Sequence, residues 1–305
     1  MIPGIALAYT ALVGFSLTQG LMYPKRRSDE EIMEQESQIG HFDKDEFDRL
    51  EKLDVTVMSE FGYEIKGHLA APHDTKKVMI ICHGISMSRY NSVKFMNIFL
   101  KRGYNVFIYD ARRHGESGGN TTSFGHYEKY DLRSVIQWLK NRYGEEMTLG
   151  IHGESLGSAA MLLYAGMLED GADFYIADCP FEDLEKLLLY RMQKEIQIPE
   201  FMIMPIGRVF LKMRDGYSMK EVSPINVIDK IDKPILFIHS KNDETIPSSF
   251  SRNLYEKKKG YKKLFMPEAG GHEDTYTKNQ HDYEKAIDEF LEEIGQHKSD
   301  AGRRL

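Results

Sequence analysis

Six short, unbroken apolar runs separated by stretches of helical periodicity constrain this chain more than any other feature. They lie at 78–82, 106–109, 147–151, 174–177, 235–238 and 264–266. Each is too short for a helix and apolar on successive residues, so each reads as a strand covered on both faces. Helix-like segments at 92–101, 127–142, 158–168, 248–258 and 275–293 fall between or after them. This alternation specifies an α/β fold with a mostly parallel central sheet and helices on both faces. Two further strands, at 54–59 and 63–70 around Phe61-Gly62, read as an antiparallel opening. The connection 181–223 is too long for a single crossover helix. It is rich in Leu and Met: Leu184, Leu187 and Leu188 stand at helical spacing, followed by Met192, Met202, Met204 and Met213. It reads as a helical lid over the carboxyl ends of the strands, its stripe being either core or pocket lining.

The first 24 residues carry no charge, and 2–23 is mostly apolar. As a helix that segment is long enough to cross a hydrocarbon core of about 30 Å. It reads first as a transmembrane anchor through which the protein contacts the membrane; a cleaved export signal is the second reading, although it would need a basic start and a small-residue cleavage site that the segment lacks, and a docking helix is the third. Lys25, Arg26 and Arg27 follow directly and place the bulk of a single-pass cell-membrane protein in the cytoplasm. Residues 25–53 form an acidic connector, opened by a Ser28/Glu31 capping box, whose charges serve solubility. One domain then spans 54–295, and 296–305 is a tail. A formal net charge of −7 leaves no basic stripe for phosphates, so no nucleic acid is expected as a partner. The two cysteines, Cys82 and Cys179, sit at the ends of apolar runs and imply no disulfide framework.

Gly153-Glu154-Ser155-Leu156-Gly157 matches G-x-S-x-G between a strand and a helix, the setting in which small flanking residues allow a tight turn to project the serine hydroxyl. A serine is a poor nucleophile unless a base takes its proton and a third group orients the base. His272 follows the last apolar run through Ala269-Gly270-Gly271 and is the candidate base; His281 and His297 lie in helix or tail sequence, and His152 reads as a sheet residue facing away. Asp243 follows the 235–238 strand and completes the order Ser, Asp, His, with Asp178 as its rival. The oxyanion donors are expected from the backbone N–H groups of Leu156 and Ile85, the latter reached through His83-Gly84, with His83 itself structural. No zinc-type spacing or phosphate-cradling glycine loop occurs, so no cofactor and no metal are expected.

Together, His83-Gly84, the run Asp110-Ala111-Arg112-Arg113-His114-Gly115-Glu116-Ser117, the Ser155 turn, Asp243 and His272 resemble the α/β-hydrolase superfamily across 54–293. The run from Asp110 is similar to the D-x-R-G-H-G-x-S signature of monoglyceride-lipase-like and serine-aminopeptidase-like members. Arg113 stands where that signature has Gly, and Ser240 where a Gly is common. The resemblance implies a serine hydrolase that cleaves a carboxylic ester of a small-molecule acyl substrate through an acyl-enzyme. A peptidase or amidase, a thioesterase or acyltransferase, and a non-catalytic hydrolase-like binding protein are the alternatives.

Overall fold

The computed structural model describes residues 2–195, 199–272 and 274–296. Its strands are β1 (Lys52–Met58), β2 (Glu64–Ala70), β3 (Lys77–Cys82), β4 (Asn105–Tyr109), β5 (Thr148–Glu154), β6 (Phe174–Asp178), β7 (Ile235–Ile238) and β8 (Lys262–Phe265). They form one sheet in the order β1-β2-β4-β3-β5-β6-β7-β8. The β1/β2 and β2/β4 pairs are antiparallel and the rest parallel. Every residue of β4, β6 and β7 is buried, as continuous apolar runs require, whereas edge strand β1 buries only Val55 and Val57.

The helices are α1 (Ile2–Met22), α2 (Asp29–Gln38), α3 (Lys44–Arg49), α4 (Val93–Leu100), α5 (Glu128–Tyr143), α6 (Leu156–Met167), α7 (Leu184–Glu195), α8 (Glu200–Asp215), α9 (Ser249–Lys257), α10 (Thr275–Lys278) and α11 (Gln280–Glu293). Side chains alternate across β3 and sort the core into two layers. Val78 and Ile80 pack with Leu132 and Val135 of α5, Met161 of α6 and Leu254 of α9. Met79 and Ile81 pack with Phe95 and Phe99 of α4 and Tyr283, Ile287 and Phe290 of α11. The helix expected over 275–293 is divided at Asn279, whose side-chain amide donates to Ala269 O and Thr275 O, both at 2.8 Å.

Helices α7 and α8 fill the long connection between β6 and β7. Leu184, Leu187, Leu188, Met192 and Met204 pack with Phe124, Leu156, Phe181 and Ile246, so this part of the Leu/Met stripe is core. Met213 is 76% exposed, and the side chain of Met202 lies outside the described residues.

Helix α1 lies along α8. A side-chain carbon at Gly14 would sit 2.3 Å from the Phe210 ring, and one at Gly207 would sit 2.5 Å from Leu17, so glycine on each side sets the approach. Arg214 closes the contact, donating to Phe15 O (3.1 Å), Thr18 Oγ1 (2.6 Å) and Gln19 Oε1 (2.8 Å). Among the described residues no helix is long and apolar enough to cross a membrane, and the spanning reading of 1–24 gains no support. Hydropathy registers that a helix is apolar; it does not register whether lipid or a second helix covers it.

The segment read as a solvated connector is also different. Its capping box forms, with Ser28 Oγ accepting from Glu31 N (3.2 Å) and Glu31 Oε2 accepting from Ser28 N (2.9 Å). The helix so started carries Glu36 into the interior at 4% exposure. There Glu36 accepts from His41 Nδ1 (3.1 Å), Asn91 Nδ2 (2.8 Å) and Lys94 Nζ (3.4 Å). Burial works against its charge, but these partners outweigh burial and hold the carboxyl below its ordinary range. Removing one member of a buried ion pair leaves the other uncompensated, at a cost of about 3–5 kcal/mol. Glu36→Ala is therefore expected to lower the urea midpoint by an amount equivalent to about 3 kcal/mol, and Glu36→Gln by less. A loss below about 1 kcal/mol in Glu36→Ala would show that Lys94 does not depend on Glu36.

Candidate active site

Ser155 sits between β5 and α6 at φ 52°, ψ −110°, outside the comfortable regions for a residue with a side chain, at a cost of about 1–3 kcal/mol. Its neighbours make that turn possible. A side-chain carbon at Gly153 would meet the Ser158 backbone at 2.6 Å, and one at Gly157 would meet Cys82 O at 2.2 Å, so α6 starts against both β5 and β3 only because both residues are glycine. The turn is tied down by Ser155 N, which donates to Asp178 O at 2.9 Å.

The side chains expected to cooperate are brought together. Ser155 Oγ lies 2.9 Å from His272 Nε2, and His272 Nδ1 lies 2.7 Å from Asp243 Oδ2. Asp243 is fixed from several directions: its Oδ1 accepts from Thr245 N and Ile246 N, both at 2.8 Å, and its Oδ2 also meets His239 Nε2 at 3.0 Å. His239 Nδ1 in turn meets Ser251 Oγ at 2.7 Å. Burial opposes a charged Asp243, but the hydrogen bonds from His239 and His272 prevail and keep its carboxyl well below the usual range. Burial likewise pulls His272 down. The hydrogen bond and charge of Asp243, with the charges of Glu154 and Asp178, outweigh it and leave the imidazole above its ordinary value. An imidazole held in this tautomer can take the serine proton and is stabilised once it has done so.

Asp178, the rival carboxylate, instead accepts from the Tyr283 hydroxyl at 2.7 Å. Burial and the nearby Glu154 charge push it up to about 7. His152 faces away from Ser155, its Nε2 lying 2.8 Å from the Tyr283 hydroxyl.

The two residues expected to supply oxyanion donors, Leu156 and Ile85, both lie beside Ser155. Leu156 N–H is the first of α6 and has no carbonyl one turn back. Ile85 lines the same cavity as Ser155, on a loop pinned at both flanks. His83 Nδ1 lies 2.7 Å from Gly84 O, and His83 Nε2 accepts from Ala111 N at 2.9 Å. His114 Nδ1 lies 2.9 Å from Arg112 O, and its Nε2 accepts from Ser86 N at 3.1 Å. Backbone N–H groups can only donate, so each ring carries its proton on Nδ1 and is neutral. Burial lowers His83 to about 4 and His114 to about 3, in agreement.

The cavity, about 370 Å³, is walled by Gly84, Ile85, Met87, Glu154 and His272 and, on another side, by Gln35, Glu36 and Ile39 of the N-terminal segment. Sequence reasoning missed that wall, as it missed His239. The only hint of the first was a capping box before an acidic segment, and the only hint of the second was a histidine four residues ahead of Asp243. Among the described residues, the one grouping with metal-ligand character is Cys179, Asp243 and His272, whose donor atoms lie within 4.8 Å of one another. Asp243 and His272 are engaged with each other, and burial pushes the Cys179 thiol far up, so the set does not fit a metal.

Because Glu154 helps to raise His272, Glu154→Gln is expected to lower the His272 pKa toward the 6.5 of a free imidazole. In an NMR titration, the wild-type ring should deprotonate above pH 6.5 and the variant ring at lower pH. A rise, or no change, would remove Glu154 from the balance.

Comparison with known proteins agrees with this architecture. The model of the α/β hydrolase fold family matches residues 77–197. The chain is 48% identical over 292 residues to the uncharacterized protein YqkD of Bacillus subtilis (strain 168), covering 95% of this chain and 96% of that one. It is 25% identical over 190 residues to the lysophosphatidylserine lipase ABHD12 of Rattus norvegicus, covering 58% and 44% of the two chains. The solved Pyrococcus furiosus esterase Pf2001 superposes with a TM-score of 0.68 at 24% identity, covering 88% and 98%. With β-strand order, serine turn and relatives in accord, the chain belongs to the α/β-hydrolase fold family.

Proposed function

We propose that this protein is a serine hydrolase that cleaves a carboxylic ester. The observation that carries the reading is the continuous chain Ser155 Oγ, His272, Asp243, at 2.9 and 2.7 Å. The similarity to a lysophosphatidylserine lipase supports the acyl-ester class. In the proposed reaction His272 removes the Ser155 proton as Oγ bonds to the acyl carbon, and the oxyanion is received by the N–H groups of Ile85 and Leu156. His272 then gives that proton to the leaving alkoxide as the ester C–O bond breaks. Water, deprotonated by His272, attacks the acyl-enzyme and releases the acid with Ser155 restored.

Two features bear on the substrate. A cavity of about 370 Å³ is at the small end for ligand pockets, which favours short acyl groups. The carboxylates in its wall are engaged internally: Glu36 holds three donors, and Lys94 feels the charges of both Glu154 and Glu36. That engagement argues against a dedicated site for a substrate amine and so against the peptidase or amidase reading. We assign membrane contact to the paired surfaces of α1 and α8, lying in the interface rather than spanning it. Leu12 and Phe15 on α1 and Phe201, Val209 and Met213 on α8 are more than half exposed, an unusual concentration of large apolar side chains.

In a chain-length series of soluble esters, turnover is expected to be highest for short acyl groups and to fall on the order of 10⁴-fold or more in Ser155→Ala. Wild-type and Ser155→Ala proteins with equal activity would end the proposal. Leu12→Ser with Met213→Ser should release the protein from sedimenting vesicles of phosphatidylcholine and phosphatidylglycerol; undiminished sedimentation would rule out the α1–α8 surface.

A further inference from the structure

Next to the Ser155 cavity lies a second cleft of about 640 Å³, and the two share Gln35 and Ile85 as a common wall. Among the described residues its charged lining is Lys25, Arg27 and Arg191 against the carboxylate of Glu31. Lys25 and Arg27 come from the basic run after α1 and Glu31 from α2, and the fold brings a third cation, Arg191 of the lid helix α7, beside them. The cations are at odds with the molecule as a whole, which carries a net charge of −7.

The cleft is fastened to the loop that carries Ile85. Arg27 N donates to Ser86 O at 3.0 Å, and Ser86 Oγ donates to Lys25 O at 2.6 Å. Arg27 Nη1 donates to Gln35 Oε1 at 2.6 Å, across the wall between the two spaces. From the other side, Arg113 Nη1 donates to Pro24 O at 3.1 Å and Arg26 Nη1 to Arg113 O at 2.8 Å. The backbone bearing Lys25 and Arg27 is thus held in register with Ile85, one of the two proposed oxyanion donors. The Ser155 cavity, by contrast, is lined among the described residues by Glu36, Glu154 and Asp274 against the one ammonium of Lys278, with Glu36 further held by Lys94. An ester spanning both spaces leaves a carboxylate-rich wall at the serine and meets an excess of cations beyond Ile85.

From this polarity we infer that the substrate carries a phosphate on the part of the molecule that extends past Ile85, where Lys25, Arg27 and Arg191 receive it. Guanidinium groups offer forked N–H donors that match phosphate oxygens, and the ammonium of Lys25 adds a movable point charge. The inference rests on the ester-hydrolase reading of Ser155. It holds for a small phosphorylated alcohol and for a lipid headgroup, which share this chemistry.

The test uses the full chain and two esters of one short acyl group, butyryl-glycerol and butyryl-glycerol 3-phosphate. The phosphorylated ester should have a kcat/KM about tenfold higher or more, as expected for charge-assisted hydrogen bonds, and the advantage should shrink as salt is raised. In Lys25→Gln with Arg191→Gln the ratio should collapse toward one, chiefly through KM. Binding of glycerol 3-phosphate to Ser155→Ala, followed by calorimetry, needs no turnover and separates the two readings. Weakening about tenfold in the added Lys25→Gln, Arg191→Gln background supports the cleft even if no ester is cleaved, in which case the hydrolase reading fails alone. If glycerol 3-phosphate binds, the free phosphorylated alcohol is sufficient. If it does not, but phosphatidylcholine vesicles containing one part in ten lysophosphatidic acid are hydrolysed in a Lys25- and Arg191-dependent way, the ligand is the lipid headgroup. No preference for the phosphorylated ester, no binding and no dependence on these cations would together overturn the proposal.

Discussion

The arrangement of this protein turns on how closely α6 approaches the sheet at Ser155. The helix begins so near β3 and β5 that neither Gly157 nor Gly153 has room for a side chain. The chain meets that constraint by placing Ser155 in a positive-φ conformation. A serine in relaxed backbone would lie back along the strand or helix; here it projects from the strand end, where loops after β3, β7 and β8 converge. The strain is local and the surrounding hydrogen bonds hold it, above all the bond from Ser155 N to Asp178 O. With the hydroxyl in that position, His272 and Asp243 need only reach one point in space, and the loops carrying them are built to do so.

Two departures from the family signature show how this chain supports those loops by other means. At Arg113, where the signature has Gly, the backbone still takes φ 61°. The turn is therefore not reshaped by the larger residue. Its side chain reaches Pro24 O and stacks over Tyr23, contacts that a glycine could not make and that offset part of the left-handed cost. At Ser240, another position where Gly is common, the hydroxyl donates to Ala269 O at 2.8 Å. That bond joins the loop bearing Asp243 to the loop bearing His272, so the two side chains are registered against each other by more than their own hydrogen bond. Both substitutions exchange backbone freedom for a tether between segments distant in sequence.

The strands of the parallel sheet were legible because each is covered on both faces and so must be apolar on consecutive residues; β4, β6 and β7 are buried throughout. That Ser155, Asp243 and His272 lie within hydrogen-bond reach was legible for a related reason. The order of the strand-end loops follows chain order once the strands are known, and glycines mark the turns. What escaped detection depends on partners far along the chain. Glu36 looks like any surface glutamate until Asn91 and Lys94 are placed beside it, and nothing in residues 29–38 announces them. The apolar stretch of α1 was visible, yet its covering partner, α8, lies some two hundred residues away, and the glycines that fit the two helices together carry no hydropathy signal. His239 is similar: its task of bonding Asp243 from below arises only after β7 has turned into the following loop.

The N-terminal segment gains its importance from the same long-range logic. The fold supplies the Ser155 turn and two oriented loops, and a fold of itself does not choose a substrate. Selectivity must come from what stands over the serine, and here that is α2 and the residues before it. Lys94, on α4 against the interior strands β3 and β4, is the pivot. It feels the charges of Glu36, Glu154 and Asp178 together, and so couples the position of α2 to the carboxylates that raise His272. His272 itself is raised first by Asp243 and only then by Glu154 and Asp178. Displacing α2 would therefore alter the shape of the cavity and leave Lys94 to face Glu154 and Asp178 without Glu36, so that the wall of the cavity and its charge balance change together.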